Sequence, residues 1–341
     1  MAKEGSNPRA AKVALIGADT LLGREVREVL ESRGVAVSLA VFGAAWEGNF
    51  GEQEGEAVYF EPLEAQTVQD RDALIVAGSE AGARKAYEIA KAGGGRPAVI
   101  DCTGYLDHAP EARIAAPMVE AGGTAASWLL VMAHPAASAL ALVLTRLSRH
   151  RRMSQALAHI FEPASERGKH GMAELHQQVL SLLSFKPLEK KVFDEQIGFN
   201  LLSRYGEDAP EKLSSFEQRI ERHTATLLSR LSNGVPVPMP SLRLIQAPVF
   251  HGYSISLWAE FESEVRAGDL EQALASAQIE IRGEDEDAPH NAGAVNQSGL
   301  IAGDIRADRN NPRGAWFWIV GDNLRLTADA AADSIAGLRK R

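Results

Sequence analysis

Apolar runs of strand length alternate with amphipathic stretches along the first 150 residues. Residues 12–16, 35–41, 72–76, 97–101 and 128–132 are short, largely apolar and β-capable. Between them, 24–30 and 81–91 carry apolar residues at helical spacing, with Gly34 and the run Gly93, Gly94, Gly95 as stop signals. Strand–helix repetition of this kind predicts a parallel sheet covered on both faces. The run 128–132 meets Ala133, His134 and Pro135, and an Ala- and Leu-rich helix is expected over 139–149. A helix opening there leaves backbone N–H groups unpaired, and its dipole favours an anion or a nucleophile.

Beyond residue 150 the pattern is mixed. Strands are expected over 157–162, 242–261 and 316–320, and helices over 172–183, 215–231 and 267–281. Residues 233–240 read as a loop, and the acidic run 283–287 as a solvated surface. An Ala-rich helix over 327–338 would return to the first domain. The pattern thus divides the chain into residues 1–135 with 322–341, and residues 136–321.

Composition narrows the function. The 341 residues are 45% hydrophobic and 24% charged, enough to build two ordinary cores. A net charge of −9 argues against nucleic acid or an anionic membrane as partner, since both need a basic footprint. Cys102 is the one cysteine, which excludes an internal disulfide and suits a reducing compartment. The first residues lack the apolar segment of a signal peptide, and no apolar run approaches the ~20 residues that span a bilayer. A cytoplasmic protein with no metal site is expected.

Several stretches carry chemistry. Residues 12–30 form a strand, a turn (Gly17-Ala18-Asp19-Thr20-Leu21-Leu22-Gly23) and a helix, the opening of a dinucleotide-binding unit. A tight packing turn without ligand is the competing reading. A basic group after the strand 35–41 would select NADP; none occurs before Arg71, and Glu47 is the candidate partner for a ribose.

The chain resembles the aspartate-semialdehyde dehydrogenase family, on motifs spread in order over nearly its whole length. His134-Pro135-Ala136-Ala137-Ser138 resembles the nucleophile loop Asn-Pro-x-Cys-Ser/Thr, with Ala137 where the family has its Cys. Gln246-Ala247-Pro248-Val249-Phe250-His251-Gly252-Tyr253 resembles Arg-Val-Pro-Val-x-x-Gly-His. Gln246 thus replaces the Arg that grips the substrate carboxylate, and Tyr253 the acid–base His. Asp101-Cys102-Thr103-Gly104-Tyr105-Leu106 resembles the phosphate-binding segment, with Leu106 in place of its Arg. Arg113 is either a substitute for that Arg or a surface residue. Glu166 and Arg167 stand where the family has small residues beside nicotinamide and substrate, and would fill that space. Gln196 to Asn200 and the Asp322-Asn323-Leu324-Arg325 turn also match. The resemblance would place a cofactor against Gly17, Asp19, Thr20, Leu22, Gly23, Ala77, Gly78 and Asn323. Thr20 replaces a glycine there and would obstruct the pyrophosphate, while Asp19 adds a repelling charge.

Other nucleophiles are few. Cys102 reads as packing, and Ser138 as a helix cap rather than the partner of His134. If Gly252 does not bulge, His251 and Tyr253 share a strand face and could line a polar pocket with His134; three unrelated hydrogen-bonded residues are the alternative. Arg146, Arg149, Arg151 and Arg152 suit a helix C-terminus.

The resemblance implies a Rossmann-type doubly wound N-terminal domain and a central α+β dimerisation domain. It is closest to the family's non-catalytic branch, which lacks the Cys. The expected function is that of a catalytically inactive homologue with a structural, regulatory or partner-binding role. It would be a homodimer through the central domain, with Trp258 and Phe261 supplying contact area, an unidentified protein or small-molecule partner, and weak NAD(P) binding. The alternatives are a divergent NAD(P)-dependent oxidoreductase with a rebuilt site acting on an aldehyde or acyl phosphate, and a protein that keeps the nucleotide and has lost only the chemistry.

Overall fold

A computed structural model describes residues 11–33, 38–42, 50–53, 56–59, 62–120, 127–232 and 234–338. Glu47 and residues 34–37 lie outside them. The chain forms two compact units, Met1–Met132 with Thr327–Arg341, and Ala133–Leu326.

The first unit contains strand β1 (Lys12–Ile16), helix α1 (Leu21–Ser32), strands β2 (Ser38–Phe42), β3 (Phe50–Gln53) and β4 (Glu56–Tyr59), and the short helix α2 (Ala65–Val68). Strand β5 (Ala73–Val76), helix α3 (Glu80–Ala92) and strands β6 (Ala98–Asp101), β7 (Arg113–Ala115) and β8 (Leu129–Met132) complete it before the chain leaves. Six strands form one sheet in the order β2-β1-β5-β6-β8-β7, every pair parallel. Its strands bury both faces, as parallel strands between two helical layers must. Val13 and Leu15 pack with Val26, Val29 and Leu30 of α1, and with Ala328, Ala331 and Ile335 of the C-terminal segment. Ala14, Ile16, Leu74 and Val76 pack on the other side with Ala83, Ala86 and Ala90 of α3. Strand order reverses between β1 and β5, which puts Gly17 and Gly78 at the switch point where α/β sheets bind ligands.

The second unit begins with helix α4 (Pro135–His150), strand β9 (Met153–Glu162) and helices α5 (Gly168–Leu183) and α6 (Leu213–Leu231). Strands β10 (Ser241–Gln246) and β11 (Tyr253–Phe261), helix α7 (Ala267–Leu274) and strand β12 (Ile279–Arg282) follow. Last come the short helix α8 (Asn291–Ala294), strands β13 (Leu300–Ala307) and β14 (Gly314–Gly321), and helix α9 (Asn323–Leu338), which leads back into the first unit. The mixed sheet runs β10-β9-β11-β14-β13-β12, with only its outermost pairs parallel.

Helices α4, α6 and α7 pack on this sheet, and Ala158, Ile160, Leu257, Ala259 and Phe317 are buried. Alternate positions face the other way: Leu157, Trp258 and Trp316 lie in one cross-strand row and keep part of their surface. Phe261 does not belong with them. It is fully buried, so it supplies no contact surface.

Several element boundaries differ from expectation: β9 and α9 each start four residues early, and 242–261 divides into β10 and β11. Helix α4 starts at Pro135, four residues early, because proline suits the first helical position. Helix α5 starts at Gly168 rather than 172, directly after a 3-10 turn over Ala164–Arg167. The stretch 267–281 is a helix followed by a strand, since β12 has β13 to pair with.

Candidate functional site

Helix α4 opens on His134, whose imidazole caps it: Nδ1 accepts the N–H of Ala136 at 3.3 Å. Ala137 follows in the first turn, 0% exposed and without a reactive atom. Ser138 is not the cap. Its N–H already donates to His134 O at 3.0 Å, so it lies inside the helix, and it is buried.

The partners of His134 define its protonation. With Nδ1 accepting, the proton sits on Nε2, 3.3 Å from Tyr253 Oη, and the rings meet edge to face with centroids 5.5 Å apart. Burial, then the neighbouring His223, holds its pKa well below the ordinary histidine value, so the ring is neutral at pH 7. The backbone N–H of His134 donates to His223 Nδ1 at 3.0 Å, fixing the α4 turn to α6.

Tyr253 is buried, and its hydroxyl lies beside the carboxyl of Glu166, whose charged form it favours. Glu166 also receives Asn323 Nδ2 at 2.9 Å. Burial first, then the charge of Glu162, pushes the Glu166 pKa up to about 7. Asn323 has a second duty, its Oδ1 accepting the Gly252 N–H at 3.1 Å. A directed chain results, from Ala136 N–H through His134 to Tyr253, with Glu166 and its donor Asn323 alongside.

His251 does not join it. Gly252 has φ +83°, which breaks strand alternation, and β11 begins only at Tyr253. His134 and Tyr253 meet as the shared-pocket reading required; His251 sits half-buried in the preceding bend.

Gln246 is fully buried at the end of β10. Its Oε1 accepts Tyr205 Oη–H at 2.6 Å, and its Nε2 donates to Glu162 O at 2.8 Å and Ala247 O at 3.2 Å. Beside it, Arg167 pairs with Glu162 and reaches Glu211 at 3.3 Å. Its guanidinium lies 3.4 Å over the centroid of the Phe216 ring, and its side chain is 4% exposed. Burial opposes that charge, but Glu162 and its neighbours raise the Arg167 pKa well above the usual value. Glu162 Oε2 and Arg167 Nε stay buried without hydrogen-bond partners. Glu162, Tyr205 and His223 belong to no motif, and nothing in the local sequence of Tyr205 and His223 marks them. The signal available for Glu162 was a carboxylate at the inward position of an apolar strand.

In the first unit, Gly17 has φ +83°, and a Cβ there would lie 2.3 Å from Gly78 Cα; one on Gly23 would lie 2.1 Å from Gly17 O. Thr20 caps α1: its hydroxyl accepts the Gly23 N–H at 2.9 Å and lies 2.8 Å from Gly17 O and 2.7 Å from Ala77 O. The turn has the shape of a dinucleotide site, yet Thr20 occupies one of the N–H donors that a phosphate would need. Leu22 packs on the core, and Asp19 is half-buried. The residues therefore fit a nicotinamide dinucleotide in backbone shape and not in donors.

Asp101 folds its carboxylate onto its own turn, accepting the N–H groups of Thr103 at 2.8 Å and Leu106 at 2.9 Å. Leu106 is core. Arg113 pairs with Glu120 at 2.9 Å. Cys102 is buried, and burial and then Asp101 raise its thiol pKa well above the usual value, which suits packing rather than nucleophilic attack. The basic cluster is structural: Arg146 donates to Ala273 O and Ala275 O at 3.0 and 2.9 Å, and Arg151 to Ser263 Oγ at 2.7 Å. Among the described residues no group of three His, Cys, Asp or Glu could hold a metal ion, and no helix is long and apolar enough to cross a membrane.

Comparison with known proteins gives this geometry a lineage. Residues 154–326 match the semialdehyde dehydrogenase dimerisation domain. The chain is 32% identical over 233 residues to a USG-1 protein homolog of Pseudomonas aeruginosa, covering 67% of this chain and 68% of that one. A USG-1 protein homolog of Azotobacter vinelandii is 27% identical over 339 residues, covering 96% and 97%. The solved structure of a probable aspartate-semialdehyde dehydrogenase from Pseudomonas aeruginosa superposes with a TM-score of 0.80 at 28% identity, over 95% of this chain and 96% of that chain. With its doubly wound first unit and its matching second, the chain belongs to the semialdehyde dehydrogenase family.

Proposed function

We propose that this protein is a catalytically inactive member of its family, acting as a structural, regulatory or partner-binding homodimer. The observation that carries the reading is Ala137, fully buried in the first turn of α4 where the resemblance puts a nucleophilic cysteine. Gln246 and Tyr253, at the positions of the substrate Arg and the acid–base His, bond residues of this chain instead. A thioester mechanism needs a thiolate, a proton shuttle and cationic anchors, and these positions supply none of them.

The same groups bear on dimerisation and cofactor. The partly exposed row of Leu157, Trp258 and Trp316, together with exposed Leu183 and Phe185, offers an apolar surface on the matched domain. A two-fold mate would cover it. NAD(P) would bind weakly. A divergent oxidoreductase with a rebuilt site is the second reading, favoured by Glu166, a carboxyl whose pKa is pushed up to about 7 beside Tyr253.

The test is turnover of aspartate semialdehyde with phosphate and NADP by wild type and Ala137→Cys. Neither should exceed a blank lacking protein, because Gln246, Tyr253 and Leu106 remain unsuited. Wild-type turnover abolished by Glu166→Gln would favour the rebuilt site instead.

A further inference from the structure

The chain turns the Arg167 side chain inward at a conformational cost. Gly168, which follows it, has φ +60° and ψ −155°, a backbone conformation open essentially to glycine alone. A Cβ on Gly171 would lie 2.5 Å from the Cβ of Arg167, so a second glycine leaves room for the arginine stem.

What receives that stem has the shape of a guanidinium. Glu162 bonds one terminal nitrogen, Nη2, and Glu211 lies 3.3 Å from the other, Nη1. The Phe216 ring covers the flat face, its centroid 3.4 Å from Cζ. Carboxylates at the two fork nitrogens and an aromatic ring on the face suit a planar, delocalised cation and not a point charge. Contacts that do not involve Arg167 hold these walls. Glu162 O accepts the Ala247 N–H at 2.9 Å and Gln246 Nε2 at 2.8 Å, Tyr205 donates to Gln246 at 2.6 Å, and Phe216 is buried on α6. Glu211 is exposed and forms the rim.

Fold stability does not account for the arrangement. Glu162 Oε2 and Arg167 Nε are buried without hydrogen-bond partners, and an ion pair left incomplete in this way gives little over an apolar pair of equal volume. The charge of Glu166 also acts on both members of the pair. Without the arginine, the surrounding carboxylates would leave the pocket negative.

We propose that Arg167 is a tethered occupant, an autoinhibitory contact in which the chain's own guanidinium fills a guanidinium-selective pocket and keeps free ligands out. This deepens the inactive reading by naming what closes the site, and it rests on that reading only for the site's identity. The preference for a guanidinium stands on the contacts of Glu162, Glu211 and Phe216.

Thermal unfolding of the full chain and of Arg167→Ala, with ethylguanidinium chloride or ethylammonium chloride at equal concentration, tests it. Ethylguanidinium replaces the atoms that the substitution removes. Arg167→Ala should melt below wild type, and millimolar ethylguanidinium should restore most of the loss saturably. Ethylammonium has the same charge and stem but no plane, and should not. Wild type, its pocket filled, should respond to neither. In the Arg167→Ala background, Phe216→Leu should weaken the apparent affinity about tenfold, and Glu162→Gln should abolish the response. Should Arg167→Ala not fold unaided, its refolding yield with each cation gives the same comparison. Equal responses to the two cations, a wild-type response matching that of the variant, or no response to ethylguanidinium by either measure overturns the proposal and leaves the inactive reading standing. Turnover by wild type would overturn that reading and leave the guanidinium preference as measured.

Discussion

Glu166 shows how one carboxyl responds to a crowded, largely buried neighbourhood. Its carboxyl receives Asn323 but faces Glu162 with little water, and its pKa of about 7 exceeds the ordinary 4.5. The native state therefore binds more protons than the unfolded chain between those two values. The stabilisation is fully present below about pH 4.5 and is lost as pH rises through 7. Its size is on the order of 2–3 kcal/mol. Urea unfolding at pH 5 and pH 8 should show a smaller loss of stability in Glu166→Gln than in wild type; identical pH dependence in both would remove Glu166 as the source. Thr20 makes a second case. Thr20→Gly frees the Gly23 N–H while costing only a few tenths of a kcal/mol in helix capping. NADP should bind more tightly to this variant, and a submicromolar wild-type dissociation constant would show that Thr20 is no obstacle.

Among elements, α5 organises the long segment that follows it. Glu174 accepts the N–H groups of Lys191 and Val192, both at 2.6 Å, and of Phe193 at 3.2 Å. One turn on, Gln178 accepts those of Ile197 and Gly198 at 2.8 and 3.0 Å and donates to Glu189 O and Glu195 O. Spaced four apart, the two side chains share a helix face and replace the ladder partners this segment lacks. Glu174→Ala should cost about 2–4 kcal/mol, since several N–H groups lose an ionic acceptor. Hydrogen exchange should rise first at residues 191–193, ahead of α5 itself; uniform protection would show that the loop is held by other means.

For the molecule as a whole, apolar surface is distributed unequally. Among the described residues, large exposed hydrophobic side chains fall mostly in the second unit, with Phe185 97% exposed. An obligate dimer would bury roughly 2,000 Å² or more, apolar at its centre. Sedimentation at low micromolar concentration should give a mass near twice 36.7 kDa, and Leu157→Glu should shift it toward the monomer. A wild-type monomer with the second unit folded would rule the dimer out.

Local periodicity carried most of the architecture. Short apolar runs and 3.6-residue spacing predicted five of the six strands of the parallel sheet, missing the three-residue β7, and the helices α3, α4 and α6, because those patterns report burial by near neighbours. The side chains that stand where the resemblance puts a Cys, an Arg and a His were equally legible, being a matter of identity at Ala137, Gln246 and Tyr253. What those positions do instead was not. His134 and Tyr253 meet across 119 residues of chain, and Gln246 and Glu162 across 84. Ser138 reads as a cap until the imidazole of His134 is seen to take that role. Phe261 reads as surface until the fold buries it completely at the end of its strand. Such partners come from strand order and helix packing, and the burial that displaces the pKa values of Glu166 and His134 exists only once the distant segments have come together.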